Sequence, residues 1–151
     1  MTSRSTPAPP QGTTPEPMPN PEARTKADQL AIVLIDHGSR REEANLQLEV
    51  LADAVRRREP DAVVRTAHLE IAEPRLSMAI DDCVREGARA IIVHPYFLGP
   101  GRHTSEDIPR LVDEARARHT GVTIQISRHL GIHDKLVDVV LERIHECDDP
   151  Q

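Results

Sequence analysis

A chain of 151 residues is about one domain long, and its formal charge of -6 argues against a general nucleic-acid binder. Aromatic residues make up only 1% of the chain, so its core must consist mainly of Val, Ile, Leu and Ala. No apolar run approaches the ~20 residues that cross a bilayer, and the N-terminus lacks the apolar stretch of a secretory signal. We therefore expect a cytoplasmic protein that binds neither nucleic acid nor membrane.

The first 28 residues differ in composition from the rest of the chain. They are rich in Pro, Thr, Ser and Glu, and such a segment cannot bury enough apolar surface to offset its chain entropy. We expect residues 1–28 to form a disordered, Pro-rich arm and residues 29–147 to form one α/β domain. Residues 148–151 are expected to be a short tail.

From Leu30 onward, short apolar runs alternate with segments of helical periodicity. The runs predict buried strands at residues 30–36, 62–68, 90–93 and 122–127. The segments after them predict helices at residues 42–58, from about residue 74, at residues 105–119, and one ending near residue 145. This alternation implies a four-stranded parallel sheet with right-handed crossovers and helices on both faces.

Local signals place the ends and faces of these helices. Gly87 is expected to cap the second helix, and Thr104 or Ser105 is expected to be the N-cap of the third. Cys83 falls in the apolar pattern of the second helix, so it is predicted to be a core residue. The first helix is predicted to bury one apolar face, which consists of Leu46, Val50, Leu51, Ala54 and Val55.

Two of the predicted strands end at a loop that contains histidine. His37 follows the first strand directly and precedes Gly38, whereas His103 ends a loop rich in Pro and Gly after the third strand. Because ligands of open α/β sheets bind beyond the carboxyl ends of the strands, we expect His37 and His103 to share a site. The alternatives are a tight turn whose histidine bonds to backbone, for the first loop, and a lid or a dimer contact, for the second.

Carboxylates follow the second strand, where Glu70 and Glu73 precede a helix. They could move protons or guide a cation, or they could be the stabilising acidic residues that are common at helix starts. Whether further histidines also line the site is left open for His68, His94, His129 and His133.

Three segments together resemble the signature motifs of the sirohydrochlorin chelatase family. They are residues 36–40, 68–74 and 95–109, and they occur in the family's order and at similar spacing within residues 30–145. The family includes the small cobalt chelatases of cobalamin synthesis and the ferrochelatases of siroheme synthesis. The combination of three segments is specific, whereas any one segment alone would be a weak signal.

The resemblance implies a chelatase-like three-layer α/β sandwich in which a metal enters a tetrapyrrole without ATP. Co²⁺ or Fe²⁺ is then the metal substrate, with Ni²⁺ as a further candidate, and sirohydrochlorin or a related tetrapyrrole is the partner. The resemblance also assigns metal ligation to His37 and His103 and, less directly, a catalytic role to Glu70. Half-length members of the family pair as homodimers, so a homodimer is expected. No iron–sulfur cluster is expected, because the chain lacks the Cys-rich segment that some half-length relatives carry.

Sirohydrochlorin is rimmed with carboxylates, so contacts with it are expected on both histidine-containing loops. Arginines would steer the carboxylates, and the only Tyr and Phe of the chain lie where a ring could pack. The expected substrate-binding residues are Ser39, Arg40, Arg41, Tyr96, Phe97 and Arg102. Two alternatives to an enzyme remain: a metal or tetrapyrrole carrier that uses the same histidine pair, and a structural α/β module whose histidines merely end its strands.

Overall fold

The structure of this protein, a computed structural model, describes residues 29–147. The arm expected at residues 1–28 and the tail expected at residues 148–151 lie outside the described residues. Four parallel strands form one sheet in the order β2-β1-β3-β4. The strands are β1 (Leu30–Asp36), β2 (Val63–His68), β3 (Ala90–Pro95) and β4 (Thr123–Ile126). The helices are α1 (Glu42–Arg58), α2 (Leu76–Arg85), α3 (Ile108–Arg118) and α4 (Asp134–His145), with a π-helical turn (His103–Asp107) just before α3.

Helices cover the sheet on both faces, as the alternation of elements predicts. Successive side chains of a strand point to opposite faces, so Val33 and Ile35 of β1 enter a larger core with α2 and α3. Leu34 enters a smaller core on the other face, against Leu48 of α1. Full burial of an aliphatic side chain of this size contributes about 1.5–3 kcal/mol relative to exposure. The two cores hold the sheet between its helices, and because all four strands are parallel their carboxyl ends lie at one common edge.

The second helix behaves as its pattern predicts. Its buried residues include Cys83, which has no exposed surface in the larger core. Burial raises the pKa of the Cys83 thiol to about 11, although the nearby Arg65 guanidinium acts in the opposite direction. Gly87 follows the helix with φ of +100°, and its N–H donates to the carbonyl oxygen of Val84 at 3.0 Å. Gly87 is therefore the helix-ending residue that the sequence predicts.

The buried face of α1 agrees only in part with the predicted one. Leu48 and Ala52 are buried, whereas Leu46 and Val50 are 53% and 68% exposed. The buried pair and its half-buried neighbours recur at residues 48, 51, 52 and 55, which is helical spacing, and they pack against β1 and β2. The predicted Leu51 and Val55 thus pack against the sheet, whereas Leu46 and Val50 face solvent and Leu48 and Ala52, which were not predicted, are buried.

The third helix begins earlier than predicted and in a different form. The π-helical turn begins at His103, so Thr104 and Ser105 lie inside helical structure rather than at its start. Both hydroxyls donate to the carbonyl oxygen of Gly101 at 2.9 Å. The prediction that Thr104 or Ser105 is the N-cap is therefore wrong, because each hydroxyl bonds backward to a carbonyl instead of accepting from the next turn.

The last helix, α4, stands apart from both cores. None of its residues is buried. Its apolar residues Val137, Val140, Leu141 and Ile144 recur at helical spacing, and each is between 45% and 56% exposed. No helix within residues 29–147 has both the length and the apolarity that a membrane crossing requires.

Candidate active site

Three of the residues predicted for the site meet at the carboxyl edge of the sheet. His37 follows β1, Glu70 follows β2, and His103 opens the π-helical turn beyond β3. The ring centroids of His37 and His103 are 5.0 Å apart, with 59° between the ring planes. The Oε2 atom of Glu70 is 3.5 Å from Nε2 of His37. Their side chains are 36% to 55% exposed, so a ligand can reach this cluster from solvent.

A glycine turn after β1 places His37 beside Glu70. Gly38 has φ of +88°, and a Cβ atom at this position would lie 2.1 Å from the carbonyl oxygen of Glu70. The Glu70 N–H donates to the carbonyl oxygen of His37 at 2.9 Å. The loops after β1 and β2 are therefore in direct backbone contact, which only glycine permits here.

Both imidazoles at the site are oriented through Nδ1. In His37 this nitrogen lies 3.1 Å from the carbonyl oxygen of Gly38, and in His103 it lies 2.9 Å from Oδ2 of Asp107. A carbonyl or carboxylate oxygen only accepts, so each Nδ1 carries the hydrogen. With the hydrogen on Nδ1, the nitrogen that remains for a metal ion is Nε2.

Two nitrogen ligands are therefore available from this pair. Within residues 29–147, no group of three or more His, Cys, Asp or Glu side chains is arranged to hold a metal ion. Imidazole is a ligand that suits Co²⁺, Fe²⁺ and Ni²⁺. The predicted roles of His37 and His103 in ligating metal, and of Glu70 in catalysis, stay predictions.

Sequence reasoning misses the role of Asp107. An acidic residue near a helix start predicts only stabilisation by the helix dipole. The structure instead uses the carboxylate to accept from the His103 ring, as carboxylates do for many metal-binding histidines. The i, i+4 spacing of His103 and Asp107 is the one sequence signal that points to this contact.

An apolar rim lies on the loops that carry two of the predicted site residues, with Ile71 directly after Glu70 and the other members in the loop before His103. It consists of Ile71, Tyr96, Phe97 and Leu98. The Phe97 ring packs against the larger core, with its centroid 6.4 Å from that of His103. The other three side chains are between 42% and 73% exposed. The rim thus offers exposed apolar surface on the loops that carry Glu70 and His103, as a flat hydrophobic ligand would require.

The predicted polar contacts are distributed over the same two loops. Arg40 and Arg41 are exposed where α1 begins, and Arg102 is exposed beside Glu106, with Nε 3.6 Å from Oε2. Ser39 is more constrained, because its backbone exchanges two 2.9 Å hydrogen bonds with the Asn45 side chain. The arginines are thus available to a ligand, whereas Ser39 also holds the turn. Substrate contact by these residues stays a prediction.

Two histidines beside the site are buried or half-buried. His68 is 4% exposed, and its Nδ1 lies 2.5 Å from Oδ1 of Asp36. His94 lies in β3, with Nδ1 2.7 Å from Oγ of Ser127 rather than bonded to backbone. Burial lowers the pKa of His94 below its ordinary value of 6.5.

Two further histidines of the C-terminal half, His133 and His119, hydrogen-bond at the ends of helices. His133 is the N-cap of α4, and its Nδ1 accepts from the Lys135 N–H at 3.1 Å. His129 is half-buried, and its Nδ1 has no hydrogen-bond partner within the described part of the chain. His119 bonds to Asp81 at 2.6 Å and thereby joins the end of α3 to α2.

The fold and the site define an open parallel α/β protein that carries an imidazole pair at the carboxyl edge of its sheet. The chain belongs to the CbiX family, whose model matches residues 31–147. The predicted family and fold class are thereby confirmed.

Relatives and solved structures agree with this assignment. "Sirohydrochlorin ferrochelatase, chloroplastic" of Arabidopsis thaliana is 42% identical over 116 residues, which cover 77% of this chain and 52% of the relative. "Sirohydrochlorin cobaltochelatase" of Methanocaldococcus jannaschii is 30% identical over 137 residues, which cover 75% of this chain and 96% of the relative. The sirohydrochlorin chelatase SirB from Bacillus subtilis subspecies spizizenii, solved in complex with cobalt, matches with a TM-score of 0.74 and 27% identity. That match covers 78% of this chain and 50% of the SirB chain.

This chain therefore spans about half the length of the plant and Bacillus proteins and nearly all of the archaeal one. One sheet with one set of motifs corresponds to one half of the longer SirB chain.

Proposed function

We propose that this protein inserts Co²⁺ or Fe²⁺ into sirohydrochlorin without ATP, as a chelatase of the lyase class for cobalamin or siroheme synthesis. The observation that carries the proposal is the facing pair of imidazoles, His37 and His103, at the carboxyl edge of a CbiX-family sheet. The names of the relatives support the substrate, since they include both a cobaltochelatase and a ferrochelatase of sirohydrochlorin.

Metal delivery is the first step that the site supports. The Nε2 atoms of His37 and His103 would hold the divalent ion as substrate, with water completing its coordination shell. A closed site of four protein ligands retains its metal, whereas an open site leaves positions for exchange. Two imidazoles are thus suited to a metal that must be handed to the tetrapyrrole.

Proton removal is the second step, because each metal ion that enters the macrocycle displaces two pyrrole N–H protons. The carboxylate of Glu70 is 55% exposed and lies 3.5 Å from His37, so a base stands beside the metal ligands. A positioned carboxylate or neutral imidazole is effective as a base near neutral pH. We assign the first proton acceptance to Glu70, with His37 as the second acceptor once its metal has been transferred.

Binding of the macrocycle would use both loops. The exposed guanidinium groups of Arg40, Arg41 and Arg102 would pair with its peripheral carboxylates. The apolar rim would pack against the ring. Binding energy from these remote contacts can drive the ring distortion that exposes the nitrogen lone pairs.

We also propose that the protein acts as a homodimer. The chain matches only half of the SirB chain, and a symmetric dimer is the commonest way to supply a second copy. The exposed apolar stripe of α4 supports this, since it lacks a partner among the described residues. Val140→Lys should therefore yield a monomer in size-exclusion chromatography with light scattering. Asp138→Lys, on the same helix, is the matched control and should remain dimeric; a monomeric wild type with full activity would reject the dimer.

The direct test of function is an insertion assay with purified sirohydrochlorin and each metal separately. Loss of the free macrocycle absorbance with multiple turnovers per protomer would support an enzyme. Stoichiometric binding of metal or tetrapyrrole without turnover would instead support a carrier. If the protein neither binds metal or tetrapyrrole nor turns them over, the result would support a structural α/β module. The ratio of kcat/KM for Co²⁺ and Fe²⁺ would assign the pathway.

A further inference from the structure

We propose that Asp36 and His68 are positioning residues that fix the metal-binding imidazole of His37. The proposal rests on the function proposed above and adds two residues to it. His68 is nearly fully buried, and its side chain is 5% exposed. The Asp36 side chain is 23% exposed, so the contact joins a buried imidazole to a carboxylate at the edge of the site. Burial of a polar ring such as that of His68 is costly unless it is hydrogen-bonded.

A single oxygen atom connects the pair to the turn that carries His37. Oδ1 of Asp36 lies 2.5 Å from Nδ1 of His68 and accepts the N–H of Gly38 at 3.0 Å. Asp36 and Gly38 flank His37 in the chain. The Asp36 carboxylate therefore binds Gly38, on the other side of His37, and His68, at the end of β2.

Backbone contacts extend this connection to Glu70. The N–H of Leu69 donates to the carbonyl oxygen of Asp36, and the N–H of Glu70 donates to that of His37, both at 2.9 Å. The His68 N–H donates to the carbonyl oxygen of Pro74 at 2.8 Å, which holds the other end of the loop. Loss of the side-chain pair would leave the His37 turn held by these backbone bonds and by the bonds between Ser39 and Asn45, without the side-chain link to the end of β2.

The hydrogen bond between His68 and Asp36 can be tested with variants that keep or remove its donor. The Asp36 carboxylate accepts, so Nδ1 of His68 donates. His68→Asn retains an amide donor near the position of Nδ1, whereas His68→Leu has comparable volume and no donor. Asp36→Ala removes the acceptor while leaving the imidazole of His68 in place. A second His–Asp pair, His119 with Asp81 at 2.6 Å, joins α2 and α3 away from the site and provides the control His119→Leu.

The experiment measures Co²⁺ binding by visible absorption titration and insertion kinetics on the full chain, with thermal melts for every variant. His68→Leu should bind Co²⁺ about 10–100-fold more weakly, the usual effect of losing a group that orients a metal ligand, with an altered ligand-field spectrum. His68→Asn should remain within about threefold of wild type, which is below that range. His119→Leu should lower the melting temperature but leave the Co²⁺ spectrum and affinity unchanged.

Three results would overturn the positioning role. The first is a folded His68→Leu with wild-type Co²⁺ affinity and spectrum. The second is a loss in His68→Asn as large as in His68→Leu, which would make ring shape rather than the donor decisive. The third is failure of both His68→Leu and Asp36→Ala to fold, which would make the pair a purely structural element. If wild type binds Co²⁺ but never inserts it, the proposed function fails while the spectroscopic comparison still decides this inference.

Discussion

Gly38→Ala is expected to destabilise the fold and to distort the site. Gly38 lies where the loops after β1 and β2 are in direct backbone contact, so there is no space for a side chain. A side chain at φ of +88° costs about 1–3 kcal/mol. The added Cβ atom would also meet the carbonyl oxygen of Glu70 at 2.1 Å, so backbone must shift; overpacking of this kind costs about 1–3 kcal/mol. The free energy of unfolding should therefore fall by about 2–6 kcal/mol. At about 4 °C per kcal/mol for a domain of this size, the melting temperature should drop by about 8–24 °C.

Circular-dichroism melts and the insertion assay together test this expectation. The forced shift of Glu70 moves the proposed base and the backbone that holds His37, so kcat/KM should fall by about 100-fold, as it does when reacting groups are misplaced by about 1 Å. Gly121→Ala is the matched control, since a Cβ atom added there would have no neighbouring atom within 4 Å and its φ is not left-handed. Wild-type melting and turnover in Gly38→Ala would refute the reasoning about the loop contact.

Three further expectations follow from burial and composition. Cys147 should react with a thiol reagent at pH 8 in the folded protein, whereas Cys83 should react only after unfolding, because it is buried and its pKa is raised to about 11; rapid labelling of both thiols would contradict this. Burial lowers the pKa of His94, so the unfolded chain binds more protons below its ordinary pKa of 6.5, and stability should fall as pH decreases through that value. His94→Asn should show a shallower fall in melting temperature with pH, and parallel curves would oppose the assignment. Deletion of residues 2–26 should leave insertion and thermal stability nearly unchanged, because every matched motif lies after Leu30; a large loss with purified substrate would place these residues in the active site.

The sheet could be predicted because its signals are local and strong. Apolar runs bounded by Gly, Pro or His mark each strand, and parallel order follows from the helices between them. The common edge of the strands then brings His37 and His103 close together, without any knowledge of side-chain geometry. The observed order β2-β1-β3-β4 places the histidine-bearing strands β1 and β3 next to each other.

The remaining features depend on tertiary contacts that no local pattern encodes. Leu46 and Leu48 are equally apolar in sequence, and only the position of the sheet decides that Leu48 is buried. The i, i+4 spacing of His103 and Asp107 is compatible with their contact, but nothing in the periodicity indicates that the turn which carries them is π-helical. The contact between Asp36 and His68 joins residues 32 positions apart through strand register.

The central claim is that the facing imidazoles of His37 and His103 deliver metal to sirohydrochlorin. The most direct measurement is the insertion rate of wild type, His37→Ala and His103→Ala with Co²⁺ and Fe²⁺, alongside thermal melts. Both side chains are partly exposed, so each substitution should change stability by no more than about 0.5 kcal/mol, as surface substitutions do. We expect folded variants that insert neither metal at a measurable rate. Near-wild-type turnover by either folded variant would contradict the account.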